Sequence, residues 1–174
     1  MTISDNHLDK KHIEFSSINA LPDHARVWIY ASNRPFTESE KAILTHQIND
    51  FVEEWAAHGR DLQAVGTVLY NQFIVLAVNE QQAGASGCSI DKSVKFMQFV
   101  ENQYFIQLFD RLNFAFLNDH NQVKMMRSED FKKAYTDNII SDDTLVFDNL
   151  VKTVADLRNA WLKPLKTSWH KRFV

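Results

Sequence analysis

Apolar residues occur along this 174-residue chain in short unbroken runs and in longer segments where they recur every three or four positions. Residues 27–31 and 73–78 are apolar throughout, as in central strands that are covered on both faces. In residues 63–70 apolar and polar side chains alternate more than in these two runs, and a short turn at Asn71 and Gln72 follows. The pattern predicts one inner strand early in the chain, and later a hairpin with an outer and an inner strand.

Two amphipathic helices are predicted between and after these strands. Thr37 and Glu40 have the spacing of a capping box that starts the first helix, and His58-Gly59 provides its C-terminal stop. Each helix carries one apolar stripe at three- or four-residue spacing, which is typical of a helix with one buried face. The stripes consist of Leu44, Ile48, Phe51 and Trp55 in the first helix, and of Ile90, Val94, Met97, Val100 and Tyr104 in the second, which we expect to end near Leu108.

The C-terminal third of the chain has shorter elements. Residues 113–117 predict a strand, residues 118–121 a turn, and residues 122–126 the return strand. A short helix is expected after Ser128 and a short strand at residues 144–147. The last amphipathic helix is predicted from Leu150, Val154, Leu157 and Trp161, and is ended by Lys163-Pro164.

The order strand, helix, hairpin, helix, strand is the βαββαβ pattern of a ferredoxin-like sandwich, an α+β fold with sheet order 4-1-3-2. In a ferredoxin-like sandwich both helices lie on one face of the sheet. Because the first and third strands are apolar on both faces, the opposite face of the sheet must also be covered. We expect the C-terminal hairpin and helices to supply it, with residues 122–126 extending the sheet past strand four. We also expect residues 1–20 to form a loosely ordered arm and residues 21–174 to form a single α+β domain.

Composition narrows the classes of protein. An apolar fraction of 45% is enough for an ordinary globular core. The polar first residues lack an export segment, and no run reaches eighteen apolar residues, so we expect a cytoplasmic protein without a membrane span. The single cysteine cannot form an internal disulfide, which fits a reducing compartment.

Charge is distributed unevenly along the chain. Residues 151–174 contain six basic residues and one acidic residue, whereas the rest contains thirteen basic and twenty-one acidic residues. The sequence pI of about 6.1 disfavours a nucleic-acid partner, because such proteins usually have a strongly basic domain. The basic end is expected to dock on the acidic body.

The loop of residues 84–92 is the main candidate site. It joins an apolar strand to a helix and is built from small residues, so its backbone N–H groups can approach a ligand. Ser86, Gly87, Ser89 and Lys92 are predicted to bind a small anion through amides, hydroxyls and one ammonium group. The alternative is that Ser89 only caps the helix and no ligand binds there.

Cys88 lies where a helix N-terminus lowers the pKa of a thiol and favours the thiolate. In the predicted topology His58, His24 and His120 reach the same sheet edge, and His58 is the candidate partner that would activate a Cys88 nucleophile. The alternative is a buried, unreactive cysteine and surface histidines. Neither a metal site nor a cofactor is predicted, since no His or Cys pair has recognised ligand spacing.

Two other groups of residues invite a functional interpretation. Asn33, Arg34, Asp110 and Arg111 are expected at the opposite sheet edge, where Arg34 or Arg111 would pair with Asp110. The tail Trp169-His170-Lys171-Arg172-Phe173 interleaves aromatic and basic side chains. Such a tail can stack on a nucleic acid, but we favour docking on its own domain or on a second copy in a homo-oligomer, with Trp169 largely buried.

Six short motifs are spread between Val27 and the C-terminus. They are Trp28-Ile29-Tyr30 with Asn33-Arg34, Trp55 with His58-Gly59, residues 84–94, Leu108-Phe109-Asp110-Arg111, Val146-Phe147-Asp148-Asn149, and Ser168-Trp169-His170. In these motifs the chain resembles an uncharacterised bacterial family whose members often carry the label "ABC transporter ATPase". Such an ATPase needs a Gly-x-x-x-x-Gly-Lys-Ser/Thr phosphate cradle, and the sequence has none. We therefore reject ATPase activity.

Two functional hypotheses remain. The first is a non-catalytic module that binds a small anion, or a partner protein, at residues 84–92. The second is a thiol-dependent enzyme with Cys88 as its nucleophile and a histidine partner. The reactivity of the thiol as a function of pH distinguishes them.

Overall fold

The two fully apolar runs of the sequence pair with each other at the centre of the fold. The structure is a computed structural model that describes residues 17–58, 62–80 and 87–174. Strand β1 (Arg26–Ala31) is antiparallel to β3 (Phe73–Glu80), and β2 (Leu62–Leu69) pairs with the other edge of β3. The sheet order β1-β3-β2 agrees with the predicted order for these three strands, and the α+β class is confirmed.

Helices α1 (Glu38–His58) and α2 (Gly87–Tyr104) cover one face of this sheet. The capping box before α1 forms as predicted: the Thr37 N–H donates to Glu40 Oε2 at 2.9 Å, and the Glu40 N–H donates to Thr37 Oγ1 at 3.2 Å. Helix α1 lies so close to β2 that a Cβ at Gly66 would overlap Ile48 Cγ2 and come within 3.0 Å of Leu76 Cδ2. Glycine at this position therefore allows the close approach.

A second antiparallel sheet corrects the predicted position of the fourth strand. It contains β4 (Asn113–Leu117), β5 (Val123–Arg127), β6 (Leu145–Phe147) and β7 (Leu162–Pro164), in the order β5-β4-β6-β7. Both edges of β4 are thus occupied, and the ferredoxin-like order 4-1-3-2 is not formed. The free edge of β1 instead meets the chain before the last helix, where the Val27 N–H donates to the Lys152 carbonyl at 2.9 Å.

The physical reason lies in the side chains of β4. Phe114 and Phe116 pack into a cluster on one face of the strand, and Ala115 and Leu117 pack into the central core on the other. All four are buried, as in an inner strand covered on both sides. The second sheet therefore buries both faces of this strand.

The two sheets pack face to face between two outer layers. The face of the first sheet opposite α1 and α2 packs on the second sheet and on α4 (Val154–Ala160), so the predicted C-terminal cover is confirmed. The outer face of the second sheet is covered by α3 (Ser128–Thr136) and by the C-terminal tail. Two details of the predicted last helix are wrong: Leu150 precedes α4 and is half exposed, and Lys163-Pro164 belongs to β7.

The central core extends back to the start of the described chain. Ile18, in a short 3-10 helix (Ile18–Ala20), is fully buried. The predicted arm therefore includes a core residue near its end, and its residues 1–16 lie outside the described part of the chain. No helix within the described ranges is both long and apolar enough to cross a bilayer.

Candidate functional site

A cavity of about 210 Å³ lies between the second half of α1 and the first half of α2. The two helices run antiparallel, because Gln47 Nε2 donates to Gln103 Oε1 at 2.8 Å while Phe51, one turn later in α1, packs on Phe96, two turns earlier in α2. Each helix lines the cavity with residues at three- and four-residue spacing, which share one helical face. The lining residues are Phe51, Glu54, Trp55, Lys92, Lys95 and Phe96.

Aromatic rings form the wall of this cavity. Phe51 stacks on Phe96 with ring centroids 4.4 Å apart and planes at 6°, and it also stacks on Trp55 at 5.4 Å. Behind them, Trp28 of β1 contacts Trp55 at 5.9 Å. The stacked faces of these rings cover one another, and the cavity meets the apolar surface that they leave.

Trp55 carries an unusual polar atom. Its side chain is only 2% exposed, yet its Nε1–H has no hydrogen-bond acceptor anywhere in the described structure. A buried donor without a partner costs about 1–3 kcal/mol. The Nε1 atom is covered by its neighbours, so an acceptor would reach it only after one of them moves.

The rim of the cavity is charged. Lys92 and Lys95 are exposed on α2, and Glu54 lines the α1 side. An ion pair lies next to the aromatic wall, where Arg26 Nη1 is 3.3 Å from Glu80 Oε1 and the guanidinium covers the ring of Trp28. The two lysines and the N-terminal end of the α2 dipole favour an anion at the α2 side of the rim.

The structure brings part of the predicted site to this cavity. Lys92 lines it, and α2 begins at Gly87, so that Cys88 and Ser89 occupy its first turn. Ser86 lies outside the described residues, as do the hydroxyl of Ser89 and the thiol of Cys88. The predicted anion contacts of the loop therefore stay predictions.

One of the three candidate thiol partners lies away from the predicted sheet edge. His58 is the last residue of α1, one turn beyond Glu54 and Trp55, although its imidazole lies outside the described structure. His24 is exposed just before β1. His120 is in the turn between β4 and β5 of the second sheet, so the argument that placed it at the edge of the first sheet is wrong.

The predicted cluster at the other sheet edge is structural. Arg34 donates to both carboxylate oxygens of Glu40 at 2.9 Å and to the Tyr104 carbonyl at 2.7 Å, which ties the start of α1 to the end of α2. The Arg34 guanidinium also lowers the pKa of Glu40 to about 2. Asp110 binds Arg127 at 2.9 Å, so the predicted pairing of Asp110 with Arg34 or Arg111 is wrong.

The C-terminal tail docks on its own domain. Trp169 is half-buried, packs edge-on against Phe114 at 5.5 Å, and donates from Nε1 to Asp148 Oδ1 at 2.9 Å. Lys171 Nζ donates to Asp142 Oδ1 at 2.6 Å. Trp169 was predicted to be largely buried and is partly exposed, whereas His170 is only 1% exposed. Burial lowers the pKa of His170 to about 4.

Sequence reasoning found Lys92 but missed Trp55 as a donor, and it missed Lys95 and Phe96 altogether. The available signal was spacing, because residues 92, 95 and 96 continue one face of α2 and residues 51, 54 and 55 continue one face of α1. Reading both helices as a facing pair would have placed the lysines above the aromatic stripe. That pairing requires the tertiary arrangement, which no local pattern contains.

Neither a cluster of metal ligands nor a match to a known protein adds to this description of the site. Within the described ranges, no group of three or more His, Cys, Asp or Glu residues has a geometry suited to a metal ion. No protein-family model, curated protein or solved structure gives a significant match to this chain.

Proposed function

We propose that this protein is a non-catalytic binding module that takes a small anion at the N-terminal end of α2. The site combines the loop of residues 84–92 with the adjoining cavity, and Lys92 belongs to both. The observation that carries the proposal is the cavity with Lys92 and Lys95 at its rim, beside Trp55, whose buried Nε1–H has no acceptor within the described residues. An anion oxygen is an acceptor of the kind that this donor lacks.

Electrostatics support an anion in preference to a cation. The first four N–H groups of a helix lack acceptors within the helix, and α2 is 18 residues long, so its N-terminal end carries a partial positive charge. Lys92 and Lys95 add two formal charges within the next two turns. In the proposed complex, backbone N–H groups near Gly87 and Ser89 hold the anion from the loop side, with Ser86 contributing its hydroxyl.

The test is a titration with inorganic phosphate and with acetate, monitored by amide chemical shifts of residues 84–94. Lys92→Ala and Lys95→Ala should each weaken binding several-fold. Lys124→Ala is the matched control, because it removes the same charge from an exposed position on β5 in the other sheet. Absence of shifts with both anions, or equal weakening by the control, would contradict the proposal.

A second candidate function is a thiol-dependent enzyme with Cys88 as nucleophile and His58 as its partner. The observation that favours it is backbone placement: Cys88 lies one turn before Lys92 on α2, and His58 one turn after Glu54 on α1, at the same end of the two helices. Alkylation of the thiol followed against pH tests it. A pKa well below the ordinary value of about 8.5 supports the enzyme, and an unreactive thiol supports the module.

The wider setting of the protein is also proposed. We place it in the cytoplasm of a bacterium, as a member of the family that its motifs resemble, without ATPase activity. Self-association through the tail remains part of the proposal, and a nucleic-acid partner does not. Measurement of the molar mass in solution for the full chain and for Arg172→Ala, which changes an exposed tail residue, tests the oligomer.

A further inference from the structure

We infer that two copies of this chain pair through the free edge of β2 and so form one continuous antiparallel sheet. The order β1-β3-β2 leaves β2 at one end of the first sheet, and within the described ranges its strand partner is β3 alone. This surface is separate from the proposed anion site and from the C-terminal tail. The inference therefore goes beyond the proposed function and is tested independently of it.

The backbone of β2 presents unpaired groups along this edge. The Ser32 N–H donates to the Gln72 carbonyl at 2.8 Å, in the register of β1 with β3, so the even-numbered residues of β3 direct their backbone groups toward β1. The odd-numbered residues of β3 then face β2, where they lie opposite odd-numbered residues. It follows that Ala64, Gly66 and Val68 direct their N–H and C=O groups away from β3. A further strand along this edge would find both donors and acceptors there.

The other edge strands of the described structure carry features that block such pairing. β5 contains Lys124 and Arg127, β7 contains Lys163 and Pro164, and the edge of β1 meets the chain at Lys152. Charged side chains, proline and a covering segment are common protections of edge strands. β2 is eight residues long and contains neither a charged residue nor a proline. Its edge is therefore the least protected of those described.

The neighbouring side of α1 is polar but uncharged at its centre. Helix α1 packs directly on β2 at Gly66, while Gln47 and Phe51 contact α2. Positions two residues apart on a helix differ by about 200° around its axis, so Thr45 and Asn49 lie on the side of α1 away from α2. This side borders the edge of β2, and both residues are exposed.

The absence of charge favours a second copy of the chain as the partner. In a pair related by a two-fold axis, residues close to the axis lie near their own counterparts, so a charge there would meet a like charge. The strand around Gly66 and the adjoining Thr45 and Asn49 carry no charge, although 24% of the chain is charged. Two β2 strands can therefore lie antiparallel without such repulsion, with the α1 helices of the two copies side by side.

The first test is the molar mass of the full chain, measured by sedimentation equilibrium over a series of concentrations. We expect an equilibrium between monomer and dimer. Asn49→Lys and Asn49→Asp should each weaken the dimer at least tenfold, because like charges then face each other across the axis. An equimolar mixture of these two variants should restore it. Asn102→Lys is the matched control, since it makes the same change at an exposed position of α2, and it should have no effect.

Amide hydrogen exchange locates the contact on β2. The N–H groups of Ala64 and Gly66 should exchange at least tenfold more slowly at concentrations that give the dimer than at dilutions that give the monomer. The reason is that they gain acceptors from the second copy. The amides of β4, which is paired on both edges, should not change.

The remaining outcomes overturn the inference. If the chain is monomeric at all concentrations and Ala64 and Gly66 still exchange slowly, another part of the same chain covers the edge. If it is monomeric and they exchange fast, the edge is open to solvent. A dimer that both Asn49 variants leave unchanged, or that Arg172→Ala dissociates while they do not, forms through a different surface.

Discussion

Lowering the pH should destabilise this protein through one buried side chain, His170. Its side chain is only 1% exposed. The ring stacks on Trp169 with centroids 3.9 Å apart and packs against Phe114 in a T-shaped arrangement with centroids 4.8 Å apart. Its Nδ1 shares a hydrogen bond with Ser168 Oγ at 2.7 Å. Burial lowers the pKa of His170 to about 4, with nearby Asp148 acting in the opposite direction and Lys163 adding to the decrease.

The sign of the effect follows from where the proton binds. The unfolded chain takes up a proton at His170 near pH 6.5, whereas the folded chain does so only near pH 4, so the unfolded state binds more protons between these values. The free energy of unfolding therefore falls as the pH is lowered from 6.5 toward 4. Across the whole interval the two pKa values correspond to a loss of about 3 kcal/mol in the free energy of unfolding, and about 2 kcal/mol of it is lost by pH 5.

The assay is urea unfolding at pH 7.5, 6 and 5, for the natural chain and for His170→Gln. Glutamine does not titrate, so the variant should be less stable at pH 7.5 and should lose about 2 kcal/mol less on going to pH 5. His24→Gln is the control, because His24 is exposed. Glu40, with its pKa of about 2, stabilises the fold fully only above its unfolded value of 4.5, so its effect lies mostly below this window and cancels in the comparison. Equal pH dependence in the natural chain and His170→Gln would refute the assignment to His170.

The remaining predictions concern packing, capping and the tail. Gly66→Ala should lower the free energy of unfolding by about 1–3 kcal/mol in urea unfolding, because the new methyl group overlaps Ile48, whereas Ala64→Gly on the same strand adds no atom and should not show this strain. Thr37→Ala should lower the free energy of unfolding by about 1 kcal/mol, because it removes the acceptor for the Glu40 N–H. The control is Thr136→Ala at the end of α3, where the hydroxyl donates to the Lys132 carbonyl instead of accepting from a free N–H; an equal loss there would contradict the capping role. Deletion of residues 168–174 should lower the melting temperature in circular dichroism by exposing Phe114 and Phe131, and an unchanged melting temperature would show that the docked tail adds no stability.

The sequence predicts the first half of the fold well, and local chemistry explains why. The Thr37 and Glu40 spacing sets the start of α1, and the apolar stripe of Leu44, Ile48 and Trp55 is buried as expected. The two runs that are apolar at every position form the neighbouring strands β1 and β3. Each of these features lies within a single helix or strand, so the spacing of apolar and polar residues along that segment is enough to predict it.

The error over β4 shows where this reasoning stops. Residues 113–117 were predicted to pair with the first strand, because the βαββαβ order places the fourth strand beside it. Their partners are instead β5, as expected, and β6. The arrangement in two sheets depends on long-range contacts between residues such as Phe116 and Val146, which no local period encodes.

The candidate site shows the same division. Lys92 was predicted from its place beside a small-residue loop and a helix start. The unpartnered N–H of Trp55 could not be predicted, because a tryptophan in an apolar stripe gives no sign of whether its Nε1 finds an acceptor. That property depends on every neighbour of the ring in the folded chain.

The most direct test of the anion site is the indole N–H resonance of Trp55 in a ¹H–¹⁵N spectrum during a titration with acetate. The chain has four tryptophans, and two of them provide internal controls: Trp161 Nε1 already donates to Asn149 Oδ1 at 2.8 Å, and Trp169 Nε1 to Asp148 Oδ1 at 2.9 Å. Binding should move the Trp55 signal downfield and slow its exchange with solvent, because its N–H gains an acceptor, while the signals of Trp161 and Trp169 stay in place. A Trp55 signal that does not move at saturating ligand would contradict the account.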